Sequence, residues 1–223
     1  MENQVTWPRL MLLVVLFLLL WIGAWIIHNE LALVGLQLMA GSDTDTVYWL
    51  LAKFLVWVVF PFLYFAQPLR KQAEFIGLQS KNLRRGLLFG IGASALWFAL
   101  SSARFFLTGQ HFGLSMSFFI AFYTVILTPI AEEILFRGYI QSALIALKTN
   151  FWLANIVTTL LFLVPHCIGW SFQGVLSANL TIGGIGAIAL ISLFLGFVRY
   201  QSDSLVGSML LHMVNNLISI FVH

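Results

Sequence analysis

Residues 10–27 read LMLLVVLFLLLWIGAWII, eighteen positions without a charged, amide or hydroxyl side chain. A bilayer core about 30 Å thick takes roughly 20 apolar residues at helical rise, so this run is a candidate membrane span. Arg9 before it resembles the basic start of a secretory leader. The apolar part is too long for a leader and no A-x-A-like cleavage site follows, so it reads as a retained first span.

The same grammar repeats on the C-terminal side, at 46–66, 86–107, 116–137, 151–168, 182–198 and 204–222. That makes seven spans, or eight if 116–147 breaks at Pro129; the segment 31–40 is too short to cross and fits the membrane interface. The chain is 61% hydrophobic and 9% charged, against about 25% charged in ordinary soluble chains. A soluble core of this length cannot absorb so much apolar surface. The expected class is an all-α polytopic integral membrane protein, a bundle of about seven transmembrane helices in one membrane domain over 1–223.

The formal charge of +3 does not mark a nucleic-acid face, because the basic residues are spread among short loops. Arg70, Lys71, Lys81, Arg84 and Arg85 fall in the loop 67–85, and Arg9, Lys148 and Arg199 fall on the same side of seven alternating spans. The opposite segments 28–45, 108–115 and 169–181 hold no Lys or Arg. Basic loops stay in the cytoplasm, which predicts a multi-pass cell-membrane protein with its N-terminus cytoplasmic and its C-terminus outside. The single Cys167 excludes an internal disulfide and a cysteine-based zinc site.

Ionisable groups inside spans are costly, and each is a functional hypothesis. Lys53 and Arg104 lie toward the outer ends of their helices, where a long side chain snorkels to the interface. Glu132 and Glu133 are the only acidic residues within a hydrophobic stretch, Thr128-Pro129-Ile130-Ala131-Glu132-Glu133-Ile134-Leu135-Phe136-Arg137. Glu133 and Arg137 stand four apart on one helical face and can pair. Glu132 points about 100° away without that partner. An unpartnered carboxylate in a poorly solvated place is poised as a general base.

His28, His111 and His223 lie at membrane borders, whereas His166 and His212 lie deeper. Phe162 and His166 share one face, and so do His212 and Asn216. Glu132 is fifteen residues before Leu147, and His166 is fifteen after Phe151. Both therefore sit about 22 Å from the turn between their helices. His212 and Asn216 follow Asp203 by nine and thirteen residues, or about 14–20 Å. The four side chains are predicted to share one layer.

Such a layer holds the parts of a hydrolase. A carboxylate and an imidazole can deprotonate water, while a second imidazole and a carboxamide can stabilise an oxyanion. Glu132, His166 and His212 could instead bind a divalent metal such as zinc. The sequence lacks an H-E-x-x-H, an aspartate inside a span and a G-x-S-x-G elbow. Cys167 adjoins His166, but neighbours on a helix point apart. A proton-relay transporter through Glu132 and Glu133 would need a polar path that the outer halves of the spans do not offer.

Glu132-Glu133-x-x-x-Arg137, followed by Gly138, then Phe162-x-x-x-His166, then His212-x-x-x-Asn216, resemble the three ordered motifs of the CPBP family of CAAX-processing endopeptidases and bacteriocin-immunity membrane proteins. The resemblance covers 116–220, a CPBP-like catalytic core, and leaves 1–115 as N-terminal spans without an assigned role. It implies an intramembrane endopeptidase in which Glu132 and His166 activate water, His212 and Asn216 stabilise the oxyanion, and Glu133 with Arg137 holds the first core helix. The implied cofactor is either none or a divalent metal. The implied partners are membrane lipid and a peptide or protein substrate, such as a lipidated protein or a secreted-peptide precursor. The same family leaves open a non-catalytic immunity or scaffold protein. Pro165 removes a backbone hydrogen bond just before His166, a place for a bend that would re-aim the ring.

Overall fold

The computed structural model describes residues 5–33, 38, 42–108, 113 and 116–221, with the side chains of 103–108 excepted. Every described element is helical: α1 (Trp7–Leu33), α2 (Asp43–Phe65), α3 (Leu69–Ile76), α4 (Leu83–Thr108), α5 (Phe118–Ala146), α6 (Phe151–Phe172), α7 (Leu176–Asn179), α8 (Ile182–Ser202) and α9 (Leu205–Phe221). Among the described residues six helical stretches are long and apolar enough to cross a membrane, and α9 is a shorter apolar helix of 17 residues. The protein is thus a multi-pass membrane protein. Most of the segment 31–40 lies outside the described residues, as do His111 and His223.

Two expectations need correction. The loop expected at 67–85 contains α3, whose Gln72 and Ile76 are buried. Gln72 donates to the carbonyls of Phe62 (3.1 Å) and Gln67 (2.8 Å) and accepts from the Tyr139 hydroxyl, which seats α3 against α2 and α5. The break that would give an eighth span at Pro129 does not occur either; α5 runs unbroken from Phe118 to Ala146.

The physical reason lies in a wide turn of π type over Tyr123–Leu127. There Thr128 N–H donates to the Tyr123 carbonyl, five residues back. The next bond of that kind would join Pro129 to the Thr124 carbonyl, but proline has no N–H to give. Asn216 Nδ2 donates to that carbonyl instead, at 2.9 Å. The orphan acceptor is satisfied from α9, and the helix continues. In α2 a similar wide turn over Phe54–Val59 precedes Pro61. Single-turn π-bulges are a common place for such irregularity near functional groups.

The centre of the bundle is aromatic. Phe17 of α1, Trp57 of α2, Phe136 of α5 and Phe162 of α6 meet edge to face at 5.0–5.9 Å between ring centres, the favoured arrangement for ring quadrupoles. α4 and α9 make the most extensive helix–helix contact, across Gly86, Gly90, Ser204 and Gly207. A Cβ on Gly90 would stand 3.0 Å from the Gly207 backbone. Small residues four apart let helix backbones approach closely where lipid gives no hydrophobic driving force. The bundle is also strapped on its basic side, where Leu205 N–H donates to the Gly77 carbonyl at 3.0 Å.

Candidate active site

Glu132 and Glu133 follow Pro129 in α5 and are both buried. As expected, Glu133 Oε1 pairs with Arg137 Nη1 at 2.8 Å with neither side chain exposed. Arg137 Nη2 donates to the Ser192 carbonyl (2.9 Å) and hydroxyl (2.7 Å), and the Ser192 hydroxyl donates to Thr159 Oγ1 at 3.0 Å. The guanidinium lies over the Phe162 ring, 4.6 Å from its centre. One buried ion pair thereby ties α5 to α8 and α6. Such a pair is strong only when its remaining donors are met, and here most are.

Glu132 is not unpartnered. Lys53 Nζ lies 2.6 Å from Glu132 Oε1, and the ammonium also sits 5.1 Å from the centre of the Trp57 ring. The snorkelling expected of Lys53 fails: its side chain turns inward, because a buried carboxylate and an aromatic face compensate its charge better than the interface does. The side chain of Arg104 lies outside the described residues.

His212 of α9 faces both glutamates. Its Nδ1 is 3.0 Å from Glu133 Oε1, and its Nε2 is 3.6 Å from Glu132 Oε2. A carboxylate only accepts, so Nδ1 carries the proton and the ring is oriented by Glu133. α6 passes through Pro165 without interruption, and His166 Nδ1 donates to the Phe162 carbonyl at 2.9 Å. In the neutral ring this leaves Nε2 as an acceptor. Glu132 and His166 line one small cavity of about 70 Å³ together with Trp21, Lys53, Trp57 and Pro165. The pocket is open on one side and has room for several waters.

The shared layer predicted from helix rise is met by Glu132, His166 and His212 and only loosely by Asn216. The Asn216 amide serves Thr124 and accepts from Asn215 Nδ2 at 3.2 Å, and Asn216 is not among the residues lining the cavity. Lys53, Trp21 and Trp57 escaped the sequence reading. A signal for Lys53 did exist: it is twelve residues from Phe65, about 18 Å from that helix end, close to the depth expected for Glu132.

A divalent metal on Glu132, His166 and His212 does not fit this arrangement. Among the described residues no three His, Cys, Asp or Glu side chains converge as a ligand set. The Lys53 ammonium stands on Glu132 Oε1, a carboxylate oxygen a cation would take, and its like charge would repel a divalent ion there.

The fold and this cluster define a polytopic helical membrane protein with a buried acid–imidazole–ammonium centre. Residues 114–218 match the family described as Type II CAAX prenyl endopeptidase Rce1-like. Over that stretch, which is less than half of the chain, the protein is similar to this CAAX-protease family, whose members act on protein or peptide. The stretch contains every residue of the three motifs and excludes Lys53. No curated protein and no solved structure matches the chain.

Proposed function

We propose that the chain is an intramembrane endopeptidase that hydrolyses a peptide bond with water activated by Glu132 and His166, its catalytic core spanning 116–220. The observation that carries this reading is the small pocket that these two side chains line together within the helix bundle. Glu132 takes a proton from the water, and His166 Nε2 orients it by accepting its other hydrogen. The water oxygen adds to the carbonyl carbon and leaves a tetrahedral oxyanion. The carbon–nitrogen bond then breaks, and the proton held by Glu132 passes to the departing amine. The products are one carboxylic acid and one amine, and Glu132 ends as it began.

Glu133 positions this chemistry by holding His212 at Nδ1, which keeps His212 Nε2 turned toward Glu132. In the present reading Asn216 is a positioning residue as well, seating the turn ahead of Pro129. The basic residues of 67–85 and Lys148 support a cytoplasmic side for the α5–α6 turn, and with it a membrane-associated peptide or protein substrate presented from there; lipidated proteins and secreted-peptide precursors are the classes to try.

A purified-protein assay against a peptide library tests the reading. Wild type is expected to cleave, and cleavage is expected to survive thorough chelation, since the Lys53 ammonium already holds Glu132 Oε1. Glu132→Gln keeps the shape of the side chain but cannot take the proton, and should lower kcat by at least about 10²-fold. Full turnover by Glu132→Gln would refute the assignment and favour the non-catalytic immunity or scaffold reading, in which the buried charges serve only packing.

A further inference from the structure

Negative charge changes place during the hydrolysis proposed above. It begins on Glu132 and, once Glu132 has taken the proton of water, resides on the oxygen of the tetrahedral intermediate. The sum does not change: one negative charge before and one after, both beside a cavity of about 70 Å³. A positive charge fixed next to both positions remains paired throughout, and needs no solvent to rearrange around it.

Lys53 holds that place. Its Nζ is 2.6 Å from Glu132 Oε1, and the residue lines the same cavity as Glu132 and His166. An ammonium has three N–H donors, and the bond to Glu132 uses one of them. Of the motif donors, Asn216 Nδ2 spends one of its two N–H groups on Thr124, and His212 gives its Nδ1 proton to Glu133. The indole N–H of Trp57, without a partner among the described residues, also belongs to a cavity-lining residue, but as a neutral donor it cannot match a full positive charge. Neither His212 nor Asn216 lines the cavity. Trp57, fully buried beneath the ammonium, keeps the stem of Lys53 from swinging away.

We propose that Lys53 of α2, outside the Rce1-like stretch, is a catalytic residue whose ammonium holds Glu132 at rest and pairs with the oxyanion once Glu132 is protonated. This rests on the endopeptidase reading. No proton leaves Lys53 at any step. The role belongs to the point charge of lysine, because the broad fork of arginine would not enter so small a chamber. It also gives the N-terminal spans a share in the chemistry: they deliver the cation that the Rce1-like helices lack at this position.

The test compares wild type, Glu132→Gln, Lys53→Met and Lys53→Arg, each as the full chain purified in detergent and checked for monodispersity and thermal melting. Lys53→Met should lower kcat by about 10²–10³-fold, the loss typical of one oxyanion donor, with KM within about twofold of wild type. A merely structural ion pair would lower the melting temperature and leave the kcat of the folded fraction intact. Should Lys53→Met fail to fold because Glu132 is left bare, Lys53→Arg decides, since it keeps the charge and misplaces it; kcat is expected to fall at least about tenfold. Wild-type kcat in the deciding variant overturns the role of Lys53 while an inactive Glu132→Gln leaves the endopeptidase reading standing. A fully active Glu132→Gln overturns both.

Discussion

Arg137 shows how much one side chain can hold in this bundle. Its guanidinium meets Glu133, Ser192 and the face of Phe162 with almost no exposure. Replacing it by methionine leaves Glu133 charged and uncompensated, and breaking a buried pair from one side costs about 3–5 kcal/mol. Arg137→Met should therefore melt far below wild type in detergent and fail as a folded protein before it fails as a catalyst. The Glu133–Arg137 bond was legible in the sequence because a spacing of four on one helix is a local fact. The partner of Glu132 was not. Lys53 lies 79 residues away on another helix, and no periodicity within a span shows which way a lone lysine turns. His212 falls between these cases: its depth could be counted, but its grip on Glu133 could not.

Helices were the most legible objects of all, because a run of apolar residues sets both the existence and the approximate length of a span. What composition does not encode is the irregularity inside α2 and α5. The wide turns before Pro61 and Pro129 depend on where the missing proline N–H finds compensation, and for Pro129 that is Asn216 on another helix. The contact between α4 and α9 depends on glycine in a similar way. Gly90→Leu would drive a side chain into the Gly207 backbone and Leu210, and overpacking of that kind costs about 1–3 kcal/mol. The variant should melt at lower temperature. Because the atoms nearest a Gly90 Cβ belong to Gly207 and Leu210, neither of which lines the cavity, the folded fraction should keep wild-type KM.

For the assembled bundle the loops support one proposed orientation in the membrane: 67–85 carries five basic residues and the segments on the opposite side carry none. A single thiol introduced by Gln79→Cys in a Cys167→Ser background should react with a membrane-impermeant reagent only when the cytoplasmic face is open to it. Labelling from outside in intact cells would invert the topology and place substrate access on the other side. The bundle also shows why a motif-bearing half does not make the whole site. The ordered motifs name residues of α5, α6 and α9, while the cavity is completed by Trp21 of α1 and by Lys53 and Trp57 of α2.

The walls of that pocket bear on how a substrate would enter it. Trp21, whose indole N–H reaches the Pro165 carbonyl at 3.5 Å, stands across one wall. In the proposed peptidase a scissile bond would reach Glu132 from the open side of the pocket, with α2 in place so that Lys53 keeps its bond to Glu132. The bulk of the side chain at position 21 would then set how readily substrate enters the proposed peptidase, separately from its acid–base groups.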